Sequence, residues 1–219
     1  MFHIRIILLS ALLSGLFSCD NTRKETISAT LGSEEPTLTA ENPRMELHLA
    51  EASGLDFVNE IEESHESNPT NNINIYNGGG VAVADVNNDS LPDLYFVSCS
   101  GKNKLFLNQG NFKFKDVTDG SGLESPDGFE TCVTAVDINA DGWMDFYFGR
   151  AGTLPAEQRK NRLFVNNGAA PGGAWSGAFT ERAAEYGLDV DTRTTGANFF
   201  DYDLDGDLDV YILNYPMSF

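Results

Sequence analysis

The chain has 219 residues, with 33 Asp and Glu against 14 Lys and Arg, a formal net charge of -19 at pH 7. A field of that sign repels phosphate backbones and argues against nucleic acid as a partner, while it draws cations. Hydrophobic residues make up 41%, enough for a sizeable core, and the three cysteines, Cys19, Cys99 and Cys132, lack the close pairing of a zinc knuckle or a C-x-x-C redox motif. Cys99 and Cys132 read as two separate buried thiols, with a disulfide between them as the alternative in an oxidising compartment.

Residues 1–18 do not read as part of a fold. His3 and Arg5 precede the apolar run Ile6-Ile7-Leu8-Leu9-Ser10-Ala11-Leu12-Leu13, and Ser14-Gly15-Leu16-Phe17-Ser18-Cys19 follows. A short apolar stretch ending in small residues predicts a signal peptide rather than a membrane span. Leu16-Phe17-Ser18-Cys19 resembles the lipobox of bacterial lipoproteins, although Phe17 is bulkier than the usual residue there. The resemblance implies that Cys19 is lipidated and that the mature protein is held at a membrane through acyl chains alone. It also implies a place in the bacterial cell envelope, as an outer-membrane lipoprotein, with plain secretion as the alternative. Residues 19–44 are polar and aperiodic and predict a flexible tether.

Residues 45–219 carry a repeat. Val81-Ala82-Val83-Ala84-Asp85-Val86-Asn87-Asn88-Asp89-Ser90-Leu91-Pro92-Asp93-Leu94-Tyr95-Phe96 aligns with Val133 to Phe148 and with Ala197 to Ile212. Each copy reads as an apolar strand, an acidic loop and a β-branched or aromatic strand. The loops fall at 85–93, 137–145 and 201–209, about fifty to sixty-five residues apart, near the period of propeller blades. Leu105-Phe106-Leu107-Asn108-Gln109-Gly110 matches Leu163-Phe164-Val165-Asn166-Asn167-Gly168, each a strand ending in a turn. Phe114-Lys115-Asp116-Val117-Thr118 then Gly122-Leu123 matches Phe179-Thr180-Glu181-Arg182-Ala183 then Gly187-Leu188, and Gly54-Leu55 has the look of a tail of the same pattern. Gly78-Gly79-Gly80 is expected to let backbone pass close to a neighbouring blade.

The loops have the chemistry of calcium sites. Calcium takes six to eight oxygens at roughly 2.3–2.6 Å, and a tight loop supplies them from side chains at positions 1, 3 and 5, the carbonyl at 7 and a carboxylate at 9. These are Asp85, Asn87, Asp89, the carbonyl of Leu91 and Asp93; then Asp137, Asn139, Asp141, the carbonyl of Trp143 and Asp145; then Asp201, Asp203, Asp205, the carbonyl of Asp207 and Asp209. About one Ca2+ per loop is expected, three in total. Position 6, where a sharp turn favours glycine, is Gly142 and Gly206 but Ser90 in the first loop, which makes that loop the weakest match. An EF-hand needs an acid at position 12 and flanking helices; position 12 here is Phe96, Phe148 or Ile212, between strands. Magnesium demands stricter geometry and is second choice. Each loop closes its own shell, so the metal is expected to be structural rather than catalytic.

The frame D-x-[DN]-x-D-[GS]-x-x-D between strands resembles the FG-GAP, or VCBS-type, repeat of integrin-like β-propellers, and Phe148-Gly149 supplies the FG pair. The accompanying Leu-Phe-Leu-Asn-Gln-Gly, Phe-x-Asp-Val-Thr, Gly-Leu and Asn77-Gly78-Gly79-Gly80-Val81-Ala82 pieces are similar to bacterial relatives of cartilage acidic protein with ASPIC/UnbV domains. The resemblance implies an all-β fold of antiparallel propeller blades whose calcium loop joins the first two strands. About three blades are present and the third stops early, so an N-terminal fragment with an incomplete propeller is expected, unstable or aggregating on its own.

No nucleophile elbow or phosphate loop is present. His48 and His65 read as surface histidines, and Trp143 and Trp175 as core aromatics rather than sugar platforms. No catalytic residue is assigned. The expected role is a calcium-stabilised module of a lipid-anchored envelope protein that binds a protein or glycan ligand. The alternative is part of a polysaccharide-active enzyme, or its accessory, with catalytic residues elsewhere.

Overall fold

The structure, a computed structural model, describes residues 46–215 apart from 62, 66–67, 72–74, 125–128 and 153–154. The expected signal (1–18), Cys19 and the tether (19–44) lie outside the described residues. A one-turn helix, α1 (Ala50–Ser53), precedes β1 (Gly80–Ala84), β2 (Asp93–Val97), β3 (Lys104–Asn108) and β4 (Phe114–Asp116), which form an antiparallel sheet in that order. The pattern recurs in β5 (Glu130–Val136), β6 (Asp145–Arg150), β7 (Arg162–Asn166) and β8 (Phe179–Glu181), with the turn α2 (Ala156–Arg159) between β6 and β7. After α3 (Ala183–Tyr186), β9 (Thr194–Phe200) and β10 (Asp209–Asn214) pair as a two-stranded sheet. Each acidic loop joins the first two strands of its sheet, and first strands pack beside one another, β1 by β5 and β5 by β9. The fold is all-β, and the three sheets stand as propeller-type blades.

Strand periodicity decides which side chain meets which blade, because successive side chains point to opposite faces. On β6, Phe146 and Phe148 enter a core with Ala82, Ala84, Val86, Tyr95, Val97, Leu105, Leu123, Phe164 and Phe179, between the first and second blades. Tyr147 between them points the other way and packs with Leu163, Val165, Ala183 and Ala197 against the third. The second blade is thus covered on both faces, which is why every residue of β6 is buried. The first blade instead exposes Val81 and Val83, and the third exposes Tyr211 and Leu213.

The first blade is tied to the second by the segment after its fourth strand. Phe179 N–H donates to the carbonyl of Ser121 at 2.7 Å, and Leu123 is fully buried beside it. A Cβ on Gly122 would lie 2.6 Å from the Phe179 carbonyl oxygen, and one on Gly54 would lie 2.5 Å from that of Phe114, so Gly54-Leu55 meets the first blade as Gly122-Leu123 meets the second. Gly122 also has a φ of +83°. Gly122→Ala is therefore expected to cost about 2–4 kcal/mol. Gly120→Ala, at a φ of +78° but in open space, should cost only about 1 kcal/mol. Urea unfolding of the two variants checks the difference, and equal costs would show that the close approach is not what matters. The Gly78–Gly80 triplet is only partly as expected: a Cβ on Gly80 would crowd Val133 N of the neighbouring blade at 3.0 Å, but one on Gly79 would strike the Val97 carbonyl of its own sheet.

Two polar features sit inside the packing. Asn103 accepts from Ser98 N–H and donates to the Tyr95 hydroxyl, which donates to the Leu123 carbonyl; Asn161 repeats this with Arg150 N–H, Tyr147 and Leu188. Glu130 and Arg150, paired across β5 and β6, form an ion pair at 3.3 Å with side chains 0% and 1% exposed. Cys99 and Cys132 are free thiols, the first buried beside Asn59 and the second half-buried against Gly149.

Candidate metal-binding loops

All three loops close by the same hydrogen bonds. The position 1 carboxylate accepts from the backbone N–H groups of positions 5 and 6: Asp85 from Asp89 and Ser90, Asp137 from Asp141 and Gly142, Asp201 from Asp205 and Gly206, at 2.7–3.2 Å. The position 5 carboxylate accepts from the N–H of position 7: Asp89 from Leu91, Asp141 from Trp143, Asp205 from Asp207. The position 9 carboxylate accepts from the N–H of position 2: Asp93 from Val86, Asp145 from Ile138, Asp209 from Tyr202. Asn87 and Asn139 at position 3 donate to the position 5 carboxylates.

This wrapping needs left-handed backbone at two places per loop. Position 6 has a φ of +85° at Gly142, +96° at Gly206 and +68° at Ser90, so serine adopts the glycine conformation and the first loop keeps the shared frame. Position 4 is left-handed too, at Asn88, Ala140 and Leu204; asparagine takes that backbone readily, while alanine and leucine do not announce it.

In the third loop, carboxylate oxygens of Asp201, Asp203 and Asp209 lie within 4.8 Å of one another. These are positions 1, 3 and 9. In the first two loops position 3 is Asn87 or Asn139, so the same positions offer two carboxylates and an amide oxygen. The hydrogen bond shared with Asp205, and the charges of Asp205, Asp209 and Asp201, hold the exposed Asp207 carboxyl above its ordinary range.

Asp93 and Asp145 sit deepest. Burial pushes each carboxyl up to about 6, aided by the charges of Asp89 and Asp85 or Asp141 and Asp137, and opposed by backbone N–H donors. A carboxyl with a raised folded-state pKa binds its proton more tightly in the folded chain, so these two groups stabilise the fold as pH falls from about 6 toward 3.8. In metal-free buffer, the urea midpoint is expected to rise between pH 7 and pH 5. A fall over that range would contradict the assigned environment.

In the first and second blades, a further donor reads from the sequence only as a turn residue. Asn108 N–H donates to Asp93 at 2.8 Å and Asn166 N–H to Asp145 at 2.7 Å, so the end of each third strand seats the position 9 carboxylate. The repetition of Asn at the same place in both copies is the signal that could have found it. Trp143 lies against Gly168, and the Trp175 indole N–H donates to the Asn166 side chain at 3.0 Å, so both indoles are committed to packing around this turn. His48 stacks on Phe112 with ring centroids 4.4 Å apart. Among the described residues, no helix is long and apolar enough to cross a membrane.

Residues 85–148, spanning the first two loops, match the model of the FG-GAP-like repeat. Cartilage acidic protein 1 of Mus musculus is 35% identical over 72 residues, 33% of this chain and 11% of that protein. The Homo sapiens protein of the same name is 32% identical over 78 residues, 35% of this chain and 12% of its own length. Integrin alpha-8 of Gallus gallus is 28% identical over 161 residues, 64% of this chain and 14% of the integrin chain. The chain thus spans little more than a tenth of the curated relatives it matches.

Proposed function

We propose that this chain, which carries an FG-GAP-like repeat in a propeller-type domain, is the calcium-stapled module of a lipid-anchored cell-envelope protein that binds a protein or glycan ligand. The convergence of Asp201, Asp203 and Asp209 within 4.8 Å, in a hydrogen-bonded frame repeated in the other two loops, carries the metal part of the reading. The donor set is all oxygen, from carboxylates and amides, and suits a hard cation of flexible coordination. Bound calcium would supply the positive charge that offsets the mutual repulsion of these acids. Asp85, Asp137 and Asp201 hold the start of each loop, Asp93, Asp145 and Asp209 its end. Asn87, Asn139 and Asp203 complete the side-chain set with Asp89, Asp141 and Asp205, and the carbonyls of Leu91, Trp143 and Asp207 add a backbone oxygen.

Binding rather than catalysis is supported by how the reactive groups are engaged. The buried acids are seated by backbone amides, and His48 is stacked on an aromatic ring. Anchoring rests on Cys19 and its preceding apolar run. Native mass spectrometry in calcium tests the metal reading: three ions per chain are expected, two after Asp201→Ala, and none at all would overturn it. Metabolic labelling with a palmitate analogue tests the anchor, with label expected on the parent chain and lost in Cys19→Ala. A glycan array and cross-linking on intact cells test the ligand, and silence in both would leave the binding role without support.

A further inference from the structure

The first and second loops are joined by a buried chain of hydrogen bonds. Asp93 accepts from Val86 N–H at 3.0 Å, the Val86 carbonyl accepts from the Asn166 side-chain amide at 2.9 Å, and Asn166 N–H donates to Asp145 at 2.7 Å. The chain begins on the position 9 carboxylate of one loop and ends on that of the next. All four residues are almost fully buried, where hydrogen bonds are electrostatically strong and their geometry is stiff. Val86 is also position 2 of the first loop, flanked by Asp85 and Asn87. A second link runs along the surface: the Asn88 side-chain amide donates to the carbonyl of Gly142 at 3.2 Å, from position 4 of the first loop to position 6 of the second.

We infer that Asn166 and Asn88 are positioning residues that couple the first two metal loops, so that filling one raises the affinity of the other. The inference rests on the calcium reading above. Closing the first loop fixes Val86, which fixes the Asn166 side chain, which holds the backbone N–H that seats Asp145. Linkage requires the effect to run equally in reverse. The second and third loops lack the surface link, because Ala140 occupies the place of Asn88 and carries no donor.

Terbium luminescence tests this in the full chain, since terbium is a hard, oxygen-seeking stand-in for calcium and Trp143 at position 7 of the second loop sensitises an ion bound there. Asp85→Ala, which disables the first loop, is expected to weaken terbium binding at the second by about fivefold or more. Asp201→Ala, which disables the third, should change it less than twofold. In the background of Asn88→Gly with Asn166→Ala, where Gly keeps the left-handed backbone, the effect of Asp85→Ala should fall below twofold. Asn88→Gly alone, an exposed change, should reduce the coupling in part and guards against misfolding of the double variant. An effect of Asp85→Ala that is under twofold in the otherwise native chain, or that persists undiminished without the two amides, overturns the coupling and leaves the calcium reading intact. Absence of sensitised emission at any terbium concentration overturns the calcium reading and the coupling with it.

Discussion

Removing calcium is expected to lower the thermal midpoint of this chain by about 15–30 °C. The figure follows from the loops. An ion held at a hundred times its dissociation constant adds about 2.7 kcal/mol per independent site, so three sites add about 8 kcal/mol. In a chain of this size each kcal/mol moves the midpoint by about 2–4 °C. The physical source is local: the third loop gathers three carboxylates within 4.8 Å, and in all three loops the backbone amides that seat the acids cannot cancel their net charge. Differential scanning calorimetry with excess calcium and with chelator makes the measurement. A midpoint that does not move would count decisively against occupied sites, and a magnesium effect equal to that of calcium would argue that the loops do not select between the two.

The second large effect concerns the ion pair inside the second blade. Arg150→Leu is expected to destabilise the fold by about 3–5 kcal/mol, because it removes the guanidinium that offsets the charge of the buried Glu130 carboxylate. The pair sits at 3.3 Å with both side chains essentially unexposed, so solvent screens their attraction little. Glu130→Leu combined with Arg150→Leu should recover most of the loss, since an apolar pair of similar volume removes both desolvation costs. Urea unfolding in saturating calcium separates this from any effect on the metal. If the double variant is no more stable than Arg150→Leu, lost packing rather than a stranded charge explains the cost.

The acidic frame and the strands on either side of it were legible because both are periodic. Carboxylates at alternate loop positions and apolar residues at alternate strand positions are patterns that survive without any knowledge of the fold. What escaped reading depends on contacts distant in sequence. Asn166 looks like a turn residue at the end of β7, and its bond to the Val86 carbonyl spans 80 positions. Glu130 and Arg150 look like polar strand ends until β5 and β6 are laid side by side. The left-handed backbone at Ala140 and Leu204 is imposed by the closing of the loop and not by those side chains. The helices α1, α2 and α3 are single turns, too short to show a period.

The handover at Gly122 has a consequence for modularity. Ser121, Gly122 and Leu123 follow the first sheet in sequence but are held by Phe179 at the edge of the second, as Gly54 is held by Phe114. The unit that folds as one sheet and the unit that repeats in the chain are therefore staggered by one segment. A deletion or graft cut at a sheet boundary would strand a Gly-Leu latch on one side and an unlatched fourth strand on the other. Cuts placed one Gly-Leu apart would remove or add a blade with its seam already made.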